Sequence, residues 1–232
     1  MMIHQLEETQ LVLSDQPLPD LEDQASQIRS YWENITQKKK RLWNGEFFMF
    51  TGVSVGNGIL HGTGHKPDFA TFIYWRDHAR RQGITHITGT TLPSFSDGSL
   101  LAVIMADHTA NPGKIYFPAG SFDSHDIVQG QFDVVRNVQR ELKEEIGLEL
   151  KQDWINGALQ TAQIDNAYHV GLPLRLPMSF DELKGIWQSF RRLDGDDEIE
   201  SLVQIGSVDE IPLEMPPYAA ALCRHHFAGL KD

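Results

Sequence analysis

At 232 residues, with 41% hydrophobic and 22% charged residues, the chain is long enough to bury a real core and fits one domain with an appendage or two small domains. Its formal net charge of −12 argues against a nucleic-acid polymer as partner, because such binding is driven by Lys and Arg neutralising phosphates, and no apolar run exceeds about seven residues (100–106), so no membrane span is predicted. The single cysteine, Cys223, excludes an intramolecular disulfide and argues against a cysteine-based zinc site; His4, Glu7 and Glu8 stand where a secretory leader would be basic and then apolar, so a cytoplasmic setting is expected.

Residues 3–13 read as a strand or extended arm, punctuated by Pro17-Leu18-Pro19. From Asp20 a helix is predicted, with Leu21, Ala25, Ile28, Trp32 and Ile35 stepping by four and three along one side and Asn44-Gly45 ending it. The basic run at 38–41 falls at its end, where it matches the helix dipole rather than marking a binding patch. Residues 46–55 and 59–62 read as strands joined at Asn57-Gly58, a dipeptide suited to a type I′ hairpin turn. Gly62-Thr63-Gly64 lacks a full phosphate-binding fingerprint and reads as a plain turn; His61 and His65 read as surface residues, with no third ligand nearby. Asp68 caps a helix running to Arg81, with Phe69, Phe72, Ile73 and Ala79 inward and Gly83 at its end. Its Tyr74-Trp75-Arg76-Asp77 stretch suits core and rim packing better than contact with a base.

After Gln82-Gly83 the chain changes character, which sets a boundary between an α+β extension over 1–83 and a second domain over 84–232. Residues 85–91 and 99–107 are strand-like, the second nearly continuous apolar as in a strand buried on both faces. Asn111-Pro112-Gly113 turns into a strand at 114–117, followed by a tight Pro118-Ala119-Gly120 loop. Within 130–150, Val134, Val135, Val138, Leu142 and Ile146 recur at helical spacing, with Asp133 to cap the start and Gly147 the end. Glu141, Glu144 and Glu145 then stand at i, i+3 and i+4 and repel one another, a repulsion that a divalent cation turns into attraction. Arg140 can pair with Glu144 at i+4, so charge alone also fits a solvated surface helix. Downstream, 158–164 and 169–174 read as strands around Asp165-Asn166-Ala167. Ser179 and Glu182 form a capping box ahead of a helix with Leu183, Ile186, Trp187 and Phe190 on its apolar side. The acidic stretch 194–200 does not complete a calcium-loop pattern. A last strand at 202–207 and a closing helix at 218–229 follow; on that helix the adjacent His225 and His226 point apart.

The run Arg140-Glu141-Leu142-Lys143-Glu144-Glu145-Ile146-Gly147-Leu148 resembles the second half of the Nudix hydrolase signature, which reads Gly, five residues, Glu, seven residues, Arg-Glu-apolar-x-Glu-Glu-x-Gly-apolar. The first half departs from it. Phe132 stands eight residues before Arg140, where the family has Glu. Gly120, in a Pro-Ala-Gly stretch similar to the family's Pro-Gly-Gly, lies about six residues too far upstream, which reads as an insertion within 121–131. Asp123 sits where many members carry an acid after the glycines.

This resemblance spans roughly 84–230 and implies an α/β fold, the Nudix-type α/β/α sandwich with a mixed sheet, leaving outside it an N-terminal α+β extension that shapes the substrate pocket or makes a homodimer. Residues 42–78, with their LWNG and YWRD elements, look faintly similar to the N-terminal part of UDP-sugar-cleaving Nudix proteins. The implied reaction is hydrolysis of the diphosphate linkage in a small nucleotide, a nucleoside diphosphate joined to another group as in nucleotide sugars or ADP-ribose, giving a nucleoside monophosphate. Mg²⁺ or Mn²⁺ would be held by Glu141, Glu144 and Glu145. Arg140, nearly a hundred degrees around the helix from Glu141, is expected to brace the preceding loop, and Gly120 to let that loop pass close to the metal site. The general base is left open among the box glutamates Glu144 and Glu145 and the late-loop acids Glu198 and Glu200. The alternative is a non-catalytic module that binds such a nucleotide as a sensor, which Phe132 favours and the intact glutamate cluster opposes.

Overall fold

The computed structural model describes residues 2–19, 21–38, 42–78, 83–194 and 198–230. The helix start expected at Asp20, the basic run beyond Lys38, the helix end at 79–81 and the centre of the acidic stretch at 195–197 lie outside them.

A mixed sheet is organised around β5 (Ile84–Ser94), whose residues are nearly all buried. On one side β5 pairs in parallel with β12 (Ala167–Arg175), which forms an antiparallel hairpin with β11 (Leu159–Ile164). On the other it meets β3 (Met49–Gly56), β6 (Leu100–Met105) and β8 (Ala119–Ser121), all antiparallel. The apolar β6 pairs with β7 (Ile115–Tyr116) and with β13 (Ile199–Ile205), so burial on both faces follows from strands on both edges and core above and below.

Alternation along β5 sets the layers. Gly89 faces α3 (Val134–Glu141), since a Cβ there would strike Asn137 of that helix. The preceding Thr88 therefore faces the other way. Its hydroxyl lies 2.8 Å from His169 Nδ1, and the His169 ring stacks on Tyr218 of α5 (Pro217–Gly229). Helices thus cover opposite faces of the sheet, as the α/β sandwich expectation requires. The capping box of α4 (Phe180–Asp194) forms as predicted, with Ser179 N and Oγ both donating to Glu182 Oε2 at 2.8 Å. Of its apolar side, Leu183 and Trp187 are buried while Ile186 is 42% exposed, because the stripe is narrower than the spacing implied.

The N-terminal third is hydrogen-bonded into the sheet at three places. β1 (Met2–Leu6) adds antiparallel to β11. β3 pairs with the start of β5, and β2 (Glu8–Leu13) pairs with β10 (Gln131–Phe132) just ahead of α3. The β3 hairpin with β4 (Ile59–His65) turns at Asn57 and Gly58 with φ of 51° and 75°, as the dipeptide predicts. Gly62-Thr63-Gly64 is not a turn: it lies inside β4, paired with β2 and β3, and only a residue without Cβ at Gly64 leaves room for the Phe132 ring. His65 is not a surface residue. It is 5% exposed, with one ring nitrogen 2.9 Å from Thr51 Oγ1 and the other 3.0 Å from the Gln16 carbonyl.

A second, smaller core joins α1 (Ala25–Lys38) to α2 (Phe69–His78) through residues such as Leu21, Phe47, Phe72 and Trp75. Asn44 does not end α1, because 42–44 are not helical; its side chain instead accepts from Ala70 N and, with Asp68 accepting from Thr71 N, caps α2. No described helix is long and apolar enough to cross a membrane.

Candidate active site

The expected tight loop after β7 is a short strand. Through β8, Gly120 comes directly opposite Gly89 of β5. These two glycines make a flat seat for α3, one helical turn of which rests on them: a Cβ at Gly89 would lie 1.9 Å from Asn137 Oδ1, and one at Gly120 1.8 Å from Glu141 Oε1. Asp133 caps the helix by accepting from Arg136 N at 3.0 Å, and Gly147 ends it at φ 76°. Between them the geometry changes, for the turn Leu142–Ile146 is a π-helix. Such turns insert a residue into the α-helical spacing and occur often at functional sites.

The π turn separates the three box glutamates. Glu141 and Glu145 are 7% and 8% exposed and line one cleft of about 490 Å³. Glu145 Oε2 accepts from Ala119 N at 3.1 Å, which ties the second carboxylate to the glycine strand. Glu198, at the mouth of β13, lines the same cleft. Glu144 does not: its side chain is 55% exposed and turns to Arg140 Nη1 at 2.9 Å on the outer face of the helix. Glu200 is also absent from that lining, because a register shift between Ile199 and Ser201 breaks the strand alternation that would have paired it with Glu198.

Arg140 braces the loop. Its Nη2 donates to the Ser121 carbonyl at 3.0 Å and to Asp126 Oδ2 at 2.9 Å, and its Nε to Asp126 Oδ1 at 3.2 Å; Asp123 lies 3.4 Å from Nε. Burial lowers the guanidinium's hold on its proton, but hydrogen bonding to Asp126 and the charges of Glu141, Asp126 and Asp123 raise it well beyond the ordinary value. Asp123 itself caps the short helical turn Ser124–Asp126, accepting from His125 N at 2.6 Å.

Asp126 is the residue the sequence reading missed. It is fully buried beneath Arg140, with Asn137 Nδ2 donating to it at 2.9 Å and Asp123 N at 3.0 Å. Counting back from Arg140 puts Phe132 at the signature's first acid; counting forward from Gly120 puts Asp126 there, six residues on. The added residues then follow this acid instead of preceding it, and they form a small hairpin of β9 (Ile127–Val128) and β10 around Gln129 and Gly130, both at positive φ. Phe132 is a core residue, its ring edge-on to Phe48, Phe50 and Phe122 at 5.0–5.4 Å separations typical of aromatic clusters.

The donor set suits a hard divalent cation, because Glu141, Glu145 and Glu198 offer carboxylate oxygens on one cleft. Glu141 rests 2.7 Å from Arg140 Nη1, and among the described residues no three acidic, His or Cys side chains close into a metal cage in this conformation. Burial pushes the Glu141 carboxyl up to about 8, with Arg140 pulling it down and Glu144 and Asp126 adding to the rise. A folded-state value above the ordinary 4.5 means that the native protein holds a proton the unfolded chain releases. This contribution to stability is full below pH 4.5 and lost as pH rises through about 8. In chelator, the melting temperature should therefore fall between those pH values, and Glu141→Gln should flatten that slope. An identical slope in the variant counts against the buried environment described here.

No family model and no curated protein matches this chain. Among solved structures, it is similar to a MutT protein from Methanosarcina mazei Go1, at 15% identity and TM-score 0.42 over 64% of this chain and 96% of that one. A NUDIX hydrolase from Nitrosomonas europaea matches at 15% and 0.40 over 63% and 90%. NrtR from Shewanella oneidensis, complexed with a 27mer DNA, matches at 15% and 0.37 over 62% and 61%.

Proposed function

We propose that this chain is a metal-dependent hydrolase of the Nudix type, cleaving the diphosphate linkage of a nucleoside diphosphate joined to another group and releasing a nucleoside monophosphate. The observation that carries this reading is the pair of buried glutamates, Glu141 and Glu145, set one turn apart against the Gly120 strand in a cleft that Glu198 also lines. Arg140 meets Glu141 there, and the further carboxylates of Glu145 and Glu198 on the same cleft make a set of oxygen donors that suits a hard cation. Mg²⁺ or Mn²⁺, when bound, supplies neutralisation of phosphoryl oxygens and acidifies a water.

The chain's own residues do the rest. Glu141, Glu145 and Glu198 would hold the cation. Ala119 N fixes the Glu145 carboxylate, and Arg140, through Ser121, holds the β8 strand in place. Glu198 is exposed at the cleft's edge and is the candidate for taking the proton of the attacking water; Glu144 and Glu200 are set aside for that role because neither lines the cleft. Phe132 gave the sensor reading its support, and Asp126 at the signature spacing removes it.

The direct test is release of nucleoside monophosphate from UDP-sugars, ADP-ribose, dinucleoside polyphosphates, NADH and coenzyme A, with Mg²⁺ or Mn²⁺ and with chelator. Turnover of at least one compound, abolished by chelator, is the expected result. Metal-independent turnover, or none across the panel, overturns the assignment.

A further inference from the structure

The carboxylate cleft opens into a second lobe of about 430 Å³; Phe47, Phe69, Tyr116, Gly120 and Ser121 are among the residues that line both. The second lobe is walled by rings. Phe47, Phe69 and Phe72 come from the N-terminal third, His86 from β5, and the stacked pair His169 and Tyr218 from β12 and α5. The rings are held in place by packing on one another: Phe47 and Phe72 stack at 4.2 Å and 20°, Phe72 and His86 lie 4.6 Å apart, and His169 and Tyr218 stack at 3.4 Å and 10°. Phe69, at the first turn of α2, is only half-buried.

We infer that this lobe seats the nucleobase of the substrate, and that supplying its aromatic wall is what the N-terminal third contributes to the reaction. The inference rests on the hydrolase reading and deepens it by assigning the base, not the linked group, to this lobe. A base has π faces to stack on these rings and only a few polar edge atoms to satisfy, whereas a sugar needs a polar partner for each of several hydroxyls. The lobe's volume lies within the range of small-ligand sites, roughly 300–1,000 Å³. Polar partners for the base's edge come from the sheet, where His86 Nε2 is 2.9 Å from Ser121 Oγ and Thr88 Oγ1 is 2.8 Å from His169 Nδ1, and from Arg76 and Asn111 on the lining. Ser121 is also the residue whose carbonyl Arg140 grips, so the base lobe and the carboxylate cleft are joined through one short strand. Lys114, exposed on the lobe's lining, makes no ion pair among the described residues and offers a cation in an otherwise acidic protein.

The experiment compares the full chain with Phe69→Leu, which keeps apolar volume but removes the ring, and Phe69→Tyr, which restores it. Binding of UMP, AMP, glucose 1-phosphate and inorganic phosphate is measured by calorimetry in chelator, which separates the lobe from catalysis. The expected result is that a nucleoside monophosphate binds, that Phe69→Leu weakens it about tenfold while Phe69→Tyr recovers it, and that the other two ligands bind far less. With a substrate that turns over, KM rises by a similar factor while kcat stays within about twofold. Binding of glucose 1-phosphate in preference to either nucleotide overturns the inference, as does nucleotide binding indifferent to Phe69→Leu. If nucleotides bind as expected but nothing is hydrolysed, the hydrolase reading fails and the lobe assignment stands. If hydrolysis proceeds with KM unmoved by the variant, the reverse holds.

Discussion

Glu145→Gln should reduce hydrolysis by at least about a hundredfold, whereas Glu144→Gln should leave it within about threefold of the parent, although both are glutamates of the same signature. The difference follows from where the π turn leaves them. Glu145 is buried on the cleft wall with its carboxylate held by Ala119 N, while Glu144 faces solvent and Arg140. An isosteric amide retains the hydrogen bond from Ala119 but takes one negative charge from the proposed cation site. Loss of a charge that organises several kcal/mol of phosphoryl stabilisation costs at least about two powers of ten in rate. Raising the Mg²⁺ concentration should recover part of the Glu145→Gln activity and none of a folding defect. Circular dichroism should show both variants folded, because the substitution relieves carboxylate crowding in the apo state. Equal losses in the two variants would mean that the outer glutamate also reaches the cation, and the division described here would be wrong.

Much of this arrangement was legible in the residues. Helix caps at Asp68, Asp133 and Ser179 were readable because a cap is local: it needs only a short polar side chain and the next turn's amides. The Asn57-Gly58 turn was readable for the same reason, since positive φ selects those residues. What was misread depends on contacts far apart in sequence. Gly62-Thr63-Gly64 has the composition of a turn, but strands on both sides hold it extended and Phe132 fills the space a side chain at Gly64 would occupy. His65 is polar yet buried because Thr51 and the Gln16 carbonyl satisfy both ring nitrogens.

The π turn left no periodic trace over five residues, so an α-helical projection put Glu144 on the same surface as Glu141 and Glu145. Asp126 was hidden by the choice of origin. Measured from Arg140 it is out of register by the length of the β9–β10 hairpin, and only the pairing of Gly120 with Gly89 fixes Gly120 as the proper starting point.

Asp126→Ala should be the most destabilising single change near the site, by about 3 kcal/mol, at the lower end of the range for breaking a buried ion pair. The aspartate is fully buried and accepts from Arg140, Asn137 and the Asp123 amide, so its removal takes an acceptor from three donors at once. Arg140 keeps its contacts with Glu141, Glu144 and the Ser121 carbonyl, which is why the cost should fall short of the upper figure. For a chain of this length that corresponds to a melting temperature lower by roughly 6–12 °C. Asp126→Asn, which keeps an acceptor for Arg140, should lie between the parent and the alanine variant. Activity should fall further than stability explains, because Arg140 without Asp126 is drawn towards Glu141 and pulls that carboxylate from its place over Gly120. A double-mutant cycle with Arg140→Ala separates the two effects. If the pair acts as described, the double variant is less destabilised than the sum of the singles by more than about 1 kcal/mol. Simple additivity would show that Asp126 supports the hairpin alone and does not position Arg140.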